Sequence, residues 1–291
     1  MIIFAHFFLN AALILIAADA PLAKYSSEYY SIESNLPAER VQQLGKIMDA
    51  AGKEYDRRFA GYSGKVRQKS KLKVFATKEE FVEVVKRVTE GSKAYATAGV
   101  FVPLDETVYT YEGPEMEHVL RHECFHQFTH FVVGGHLDRW VNEGLAEYFG
   151  LAKVDPGSGT LRLGIIEPDY AAALSVAREN GTLMTVDSLL YMSGRDWHEN
   201  MGGEQGGVQY AQAWALCHFL IHGDGGKYQK LFDEYLRFID KHLDGHTAFK
   251  RVFGEDTKPL QEKYDAYIEH LIATAAAKEA RKIKQGKRKG G

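Results

Sequence analysis

The residues best suited to chemistry stand in one short pattern, His122-Glu123-Cys124-Phe125-His126, which is an H-E-x-x-H motif. Gly113-Pro114 precedes it and is typical of a helix start, so we expect the motif to lie on a helix. A spacing of four then puts both imidazoles on one face, where they can share a Zn²⁺ ion. Glu123 projects about 100° further around the helix, which leaves it free to act as a general base beside the metal.

A catalytic zinc site needs a third protein ligand, with water in the fourth position. The candidate is Glu143, in the helical stretch Trp140–Tyr148, which a turn at Gly134-Gly135 separates from the first helix. Two helices joined by such a turn can run antiparallel and bring Glu143 to the histidines. Glu147 follows one helical turn later. It could itself bind the metal, but the sequence favours it as the acceptor for the second ring N–H of a zinc histidine.

The elements around these residues predict an α+β fold. The first lobe is indicated by a strand near 28–32, a long helix after Pro37, a strand over 71–76, a helix over 78–88 and a hairpin of 98–102 with 107–111. The later pattern is mainly helical, with a hairpin over 154–166 and helices over 170–179, 208–222, 227–243 and 260–278. We therefore expect an N-terminal mixed lobe with a small sheet over 21–112, a mainly helical lobe over 113–277 and a zinc cleft between them.

With H-E-x-x-H followed sixteen residues later by N-E-G-x-A, the sequence resembles the gluzincin zinc metallopeptidases. A looser resemblance over residues 25–275 is to poorly characterised bacterial secreted gluzincin-like domains. The resemblance to the gluzincins implies that His122, His126 and Glu143 bind Zn²⁺. It also implies that Glu123 is the base and that Glu147 accepts a hydrogen bond from a zinc histidine. The motif-to-glutamate spacing is slightly shorter than in the aminopeptidase branch, and Gly113 to Glu117 lies too near the zinc helix to be that branch's G-x-M-E-N strand. The resemblance therefore does not extend to amino-terminal exopeptidase activity.

The same resemblance implies two further features of a peptidase. Tyr210, on a later helix, would donate a hydrogen bond to the developing oxyanion, for which His218 and His222 are weaker rivals and packing of Tyr210 in the core is an alternative. Relatives of this kind hold a peptide substrate as an added strand at a sheet edge, and Thr107–Tyr111 is the expected edge. The implied reaction is hydrolysis of a peptide bond by water, with a peptide or protein as the substrate.

Other interpretations of the motif remain open. His118, His122, His126 and His130 form a stripe at a spacing of four, so a polar histidine face without a metal is one alternative. Only the inner pair encloses a glutamate at the second position, and we expect the outer two to be surface or supporting groups. A second alternative is a catalytically inactive, zinc-containing peptide-binding domain, whose ligands would look the same. The retained Glu123 argues against it, because a structural zinc needs no base.

Composition excludes several classes of protein. The 291 residues are 45% hydrophobic, which is typical of a globular chain with a packed core. The formal net charge is −3, and the basic segment Lys278 to Gly291 leaves −9 on the first 277 residues, so we expect no nucleic acid as a partner. That segment, 278–291, is expected to be a disordered tail. Cys124 and Cys217 are either one disulfide or two separately buried thiols.

The chain starts with an apolar run over Ile2 to Ala18, followed by small residues. This pattern predicts a secretory signal peptide over residues 1–20. An uncleaved membrane anchor is the alternative, since the run is only slightly shorter than a spanning helix needs. Either interpretation places the body of the protein outside the cytoplasm, secreted or extracytoplasmic, with membrane contact only if the segment is kept.

Overall fold

The computed structural model describes residues 22–90, 96–134, 137–155, 157–200 and 204–289. The predicted signal peptide or anchor over 1–20 lies outside these residues. Within the described ranges, no helix combines the length and the apolar character needed to cross a membrane.

A five-stranded mixed sheet forms the N-terminal lobe. Its strands are β1 (Ala23–Ser26), β2 (Tyr30–Ser34), β3 (Ser70–Phe75), β4 (Gly99–Val102) and β5 (Thr107–Tyr111), in the order β1-β2-β3-β5-β4. β3 is parallel to β2 and β5, whereas β1 and β4 are antiparallel to their neighbours. The expectation that Thr107–Tyr111 is the free edge is wrong, because its hairpin partner covers it. The edges of the sheet are β1 and β4, and β4 is the open edge beside α3.

Helices make up most of the remaining chain, and two short strands form a separate hairpin. The helices are α1 (Ala38–Arg58), α2 (Lys78–Val88), α3 (Met116–Val132), α4 (Arg139–Gly150), α5 (Pro168–Glu179), α6 (Val186–Leu190), α7 (Gly194–Asn200), α8 (Glu204–Gly226), α9 (Gln229–Asp240), α10 (Gly245–Phe253) and α11 (Lys258–Lys289). The hairpin is β6 (Lys153–Val154) with β7 (Leu161–Arg162). The predicted fold class, a mixed N-terminal lobe followed by a mainly helical one, is confirmed.

The sheet has a helix on each face, as the alternation of its side chains requires. Leu72 and Val74 of β3 join the main core with α1 and α3, whereas Phe75 joins a smaller cluster with Phe81 and Val85 of α2. Local chemistry supports α2 as well, since Thr77 and Glu80 form a capping box at its start. Opposite α2, α3 therefore lies against the inner face of the sheet.

The sheet lobe and the helical lobe share one hydrophobic core. Tyr55 of α1 shows this, because its ring lies edge-on to Phe125 of α3 and Phe149 of α4, with centroids 5.7 and 4.9 Å apart. Its hydroxyl donates a hydrogen bond of 2.8 Å to the carbonyl of Arg121. The buried Gln127 side chain adds a polar link, donating to the carbonyl of Lys71 on β3 at 3.1 Å. The helices that carry the motif are thus fixed to the sheet.

Two further expectations from the sequence concern the C-terminal segment and the two cysteines. The predicted disordered tail over 278–291 is helical as far as Lys289, where α11 ends. Ala, Glu, Lys, Arg and Gln dominate this segment, and these strong helix formers continue the helix although the side chains of residues 278–285 are exposed. Cys124 and Cys217 are both free and buried, so the alternative of two separate thiols describes them.

Candidate metal centre

The two motifs lie on α3 and α4, which run antiparallel to each other. Contacts between the helices set this direction. His118, early in α3, meets Glu147 late in α4, whereas His126, later in α3, meets Asn142 early in α4. The polar side chains of both motifs therefore face one another between the two helices.

Two glycines of α4 allow close contacts, one with α8 and one with His118 on α3. A Cβ at Gly144 would lie 2.3 Å from the carbonyl oxygen of Ala213 on α8. A Cβ at Gly150 would lie 2.7 Å from Cδ2 and 2.9 Å from Nε2 of His118. Both separations are too short for real atoms, so a Cβ at Gly144 would force the backbones of α4 and α8 apart, and a Cβ at Gly150 would displace the His118 ring. The glycine of N-E-G-x-A therefore has a packing role beside the chemical residues of that motif.

Three ligand atoms converge between the helices. Nε2 of His122 and Nε2 of His126 are 3.0 Å apart, and Oε2 of Glu143 lies 3.5 and 3.4 Å from them. A tetrahedral Zn²⁺ ion with bonds of about 2.0–2.1 Å separates its ligand atoms by about 3.3 Å. The spacing thus fits such an ion closely, and this group could hold a metal ion. These are the three residues that the sequence predicted as ligands.

The outer nitrogen of each histidine has an oxygen acceptor on α4. Oε1 of Glu147 lies 3.0 Å from Nδ1 of His122, and Oδ1 of Asn142 lies 3.2 Å from Nδ1 of His126. A proton on Nδ1 leaves the lone pair on Nε2, the nitrogen that faces Glu143. The sequence predicted such an acceptor role for Glu147. It missed Asn142, although this residue stands directly before Glu143 in the motif.

Glu147 has two further partners that the sequence did not assign. Its Oε2 lies 2.9 Å from Nε2 of His118, and burial together with the charge of Glu147 raises the pKa of the Tyr170 hydroxyl. His118, His122 and Glu147 form a second group that could hold a metal ion, but this group uses Nδ1 of His122. A neutral imidazole offers one lone pair, so a metal on Nε2 leaves Nδ1 as a donor to Glu147. Glu147 and His118 therefore support the first group.

The charges of the site depend on one another. Burial by itself would raise the pKa values of Glu143 and Glu147, but the charge and hydrogen bonds of the neighbouring histidines lower both below the usual range. Burial would also lower the pKa of His122, but the carboxylates of Glu147 and Glu143 raise it well above the ordinary histidine value. Without a metal, His122 is consequently a cation, and a metal ion must displace its proton.

Glu123 lies beside the three ligands without being one of them. Its Oε2 accepts a hydrogen bond of 2.8 Å from the backbone N–H of Phe101, on the open edge strand β4. Burial raises the pKa of Glu123, although His122, His126 and the Phe101 N–H oppose this shift. The side chain lines two cavities that meet at the ligands, one of about 190 Å³ and one of about 240 Å³. A half-buried carboxylate with a raised pKa, facing open space, suits proton transfer.

Tyr210 of α8 lines the smaller cavity together with His122, Glu123 and Glu147. Its half-buried ring lies edge-on to Trp197 at 5.4 Å, and burial raises the pKa of its hydroxyl. Tyr210 therefore keeps its proton at neutral pH and can donate a hydrogen bond.

The weaker rivals for the role of Tyr210 lie elsewhere. Nδ1 of His218 is 2.8 Å from the hydroxyl of Tyr267, and Nε2 of His222 is 2.9 Å from that of Tyr148. Neither histidine lines the two cavities at the ligands. Of the three candidates, only Tyr210 reaches this space.

The outer histidines of the stripe differ in surroundings. His118 contacts Glu147, whereas the ring of His130 lies edge-on to Phe101 at 5.5 Å and lines the larger of the two cavities. Only the inner histidines turn their Nε2 atoms towards Glu143. The stripe therefore contains one pair that offers two of the three candidate ligand atoms, one supporting histidine and one cavity-wall histidine.

Comparison with known proteins gives a match of part of the chain to one family model and no activity. Residues 118–242 match a family model described as a protein of unknown function (DUF1570). This match covers both motif helices and continues through α9. No curated protein matches the chain.

Proposed function

We propose that this protein is a zinc-dependent peptidase of the gluzincin type. The observation that carries the proposal is the position of Glu123, a half-buried carboxylate that adjoins three candidate metal-ligand atoms and faces a cavity without joining them. A structural zinc site closes its tetrahedron with a fourth protein ligand and has no use for such a group. Two imidazoles with one carboxylate are, in addition, a donor set of catalytic zinc.

When bound to His122, His126 and Glu143, a Zn²⁺ ion would lower the pKa of a water molecule and polarise the substrate carbonyl. Glu123 accepts the proton of the attacking water. Because the Phe101 N–H occupies Oε2, the proton is taken up at Oε1.

The rest of the reaction uses the same carboxyl group and Tyr210. As the water oxygen bonds to the carbonyl carbon, the Tyr210 hydroxyl donates a hydrogen bond to the oxygen that becomes negative. The carbon–nitrogen bond then breaks, and Glu123 passes its proton to the leaving nitrogen. The products are a carboxylic acid and an amine, which become a carboxylate and an ammonium group at neutral pH, and Glu123 returns to its ionised form.

The open strand β4 supports a peptide as the substrate. The N–H of Phe101 points away from β5 and towards Glu123, so the free edge of the sheet passes directly beside the base. An extended peptide that pairs with this edge would have its backbone next to the ligands. The edge in this proposal is β4, in place of Thr107–Tyr111. We further propose, from the apolar run over 2–18, that the enzyme acts outside the cytoplasm.

One experiment separates this proposal from an inactive zinc-containing peptide-binding domain. Wild-type protein and Glu123→Gln, each without the first twenty residues, are checked for equal zinc content and equal circular dichroism. Both are then incubated with a mixed peptide library that is read by mass spectrometry. The proposal requires cleavage by the wild type and a loss of about 10²- to 10⁴-fold in the variant. Identical patterns from the two zinc-loaded proteins would favour the binding domain.

A further inference from the structure

A large groove opens beside the metal centre, at the N-terminal end of α3. Its volume is about 1160 Å³, and its walls come from α1, α3, the end of α4, the β6–β7 hairpin and the start of α5. His118 lines both this groove and the 190 Å³ cavity. Glu123 lines that cavity and also the 240 Å³ cavity at the C-terminal half of α3. The three spaces therefore follow one another along α3.

The path formed by the groove and the two cavities is longer than one terminal residue of a peptide substrate. It extends along α3 from Glu117 in the groove to His130 in the far cavity. At 1.5 Å per residue, this part of the helix is about 20 Å long. An extended peptide advances about 3.3 Å per residue, so about six residues fit along the path. The metal-ligand histidines lie between its two ends.

The contacts of β4 fix its direction relative to α3. Gly99, at the start of the strand, lies against Val119, whereas Phe101 lies against His130, further along the helix. Strand and helix thus run the same way. A substrate strand that pairs antiparallel with β4, the more stable arrangement, would run the opposite way. Its C-terminal part would then point to His118 and the large groove.

We propose that the large groove binds the part of the substrate C-terminal to the cut bond, and that the protein is an endopeptidase for extended chains. This inference rests on the proposed function. An exopeptidase closes its cleft on one side of the metal, whereas the described residues leave space on both sides. The groove carries both signs of charge, from Arg40, Lys46, Arg121 and Lys153 and from Glu115, Glu117, Asp155, Glu167 and Asp169. Such walls suit a polar polypeptide rather than a polyanion.

Photo-crosslinking tests the groove without any turnover. Zinc-loaded Glu123→Gln is mixed with random-sequence twelve-residue peptides, acetylated and amidated, that carry a benzophenone at either the N-terminal or the C-terminal end. After irradiation, the crosslinked residues are mapped by mass spectrometry. We expect the C-terminal label on the groove walls near Lys46 and Lys153, and the N-terminal label near His130 and Leu137. The reverse pattern, or no crosslink in the groove, would overturn the inference.

A matched pair of variants on α1 makes the result specific to the groove. Lys46 is exposed and lines the groove, whereas Lys53 is exposed on the same helix and lines none of the three spaces. In the Glu123→Gln background, Lys46→Trp should reduce crosslinking by the C-terminal label on the order of tenfold, a cost of about 1.4 kcal/mol. Lys53→Trp should leave it unchanged, and equal effects of the two would contradict the proposal.

The outcome is independent of the outcome for the proposed function. Crosslinks at the expected positions, combined with a wild type that cuts no library peptide, would keep the binding groove and reject the peptidase. Cleavage by the wild type without crosslinks in the groove would keep the peptidase and reject this inference. Cuts only at terminal residues of the library would likewise reject endopeptidase action.

Discussion

Oε1 of Glu147 lies 3.0 Å from Nδ1 of His122, so a carboxylate on α4 determines which nitrogen of a histidine on α3 faces the ligand group. The same carboxylate holds His118 through its other oxygen, at 2.9 Å. Glu143 and Glu147 thus face the histidines from neighbouring turns of one helix, and in the proposed zinc site Glu143 would be the ligand and Glu147 the group behind it.

Zinc content is the first quantity that the ligand geometry predicts. The purified protein should contain about one zinc ion per chain, as a site with three protein ligands implies. His122→Ala, His126→Ala and Glu143→Ala should each sharply reduce the bound metal, measured by elemental analysis after dialysis. His130→Ala is the matched control, because His130 lies on the same helix face but contacts Phe101 instead of the ligands. Zinc loss in the control equal to that in the others would mean that the stripe is assigned wrongly.

Removing the carboxylate of Glu147 should weaken the metal site without abolishing it. Glu147→Ala leaves Nδ1 of His122 without its acceptor, and we expect the zinc affinity to fall by about 10- to 100-fold. His118→Ala should have a smaller effect in the same direction, since His118 acts only through Glu147. Competition with a chelator of known affinity measures both. Complete loss of zinc in Glu147→Ala, as in Glu143→Ala, would show that Glu147 is itself a ligand.

The pH dependence of zinc binding follows from His122. Its pKa is raised by the surrounding carboxylates, so the metal-free protein keeps this imidazole protonated at neutral pH, and zinc must displace the proton. Below the raised pKa, the dissociation constant should increase by about tenfold for each pH unit lost, because one proton competes with the metal. Titrations between about pH 5.5 and pH 8 in a chelator-buffered series measure the slope. A constant affinity over this interval would contradict a cationic His122.

Gly144 should be far less tolerant of substitution than a glycine elsewhere in the helical lobe. Gly144→Ala would place a methyl group 2.3 Å from the carbonyl oxygen of Ala213, so α4 and α8 must separate. We expect a loss of about 1–3 kcal/mol or more in the free energy of unfolding. Gly207→Ala on α8 is the control, because its Cβ would meet no atom within 4 Å. It should be neutral or stabilise by up to about 1 kcal/mol, and urea denaturation of both variants decides the matter.

Tyr210 should affect turnover but leave the metal in place. Tyr210→Phe removes only the hydroxyl and keeps the ring against Trp197. If the hydroxyl donates to the developing oxyanion, kcat should fall on the order of 10²-fold, with zinc content and thermal stability unchanged. Tyr267→Phe, which removes a hydroxyl bonded to His218 outside the site, is the control. Equal activity of Tyr210→Phe and wild type would assign Tyr210 to packing alone.

The sequence predicts the parts of the site that depend on local spacing. A separation of four on a helix puts His122 and His126 on one face, and their Nε2 atoms are 3.0 Å apart. The same reasoning places Glu143 and Glu147 one turn apart on α4. Because a turn joins α3 and α4, the two helices can run antiparallel, and the histidine pair then faces the glutamate pair. The main helices and strands follow from periodicity in the same way.

The missed parts depend on contacts between elements distant in the sequence. Which strand forms the sheet edge is decided by the order of pairing, and periodicity within Thr107–Tyr111 carries no information on it. Burial and the charge of Glu147 raise the pKa of Tyr170 on α5, and no local pattern marks a tyrosine that is influenced by this carboxylate. The helical tail was missed for a different reason. Its basic composition indicates a solvated segment and led to the expectation of disorder. The helix propensity of its residues instead continues α11 to Lys289.

The core shared by sheet and helices couples metal binding to the whole chain. A protein with one continuous core unfolds as a cooperative unit, so a ligand bound only by the folded state stabilises every part of it. At a free zinc concentration of 100 times the dissociation constant, this linkage adds about 2.7 kcal/mol. Amide protons of β3, which touch no ligand residue, should therefore exchange more slowly with solvent when zinc is present. Metal supply would then set the lifetime of the folded protein as well as its activity.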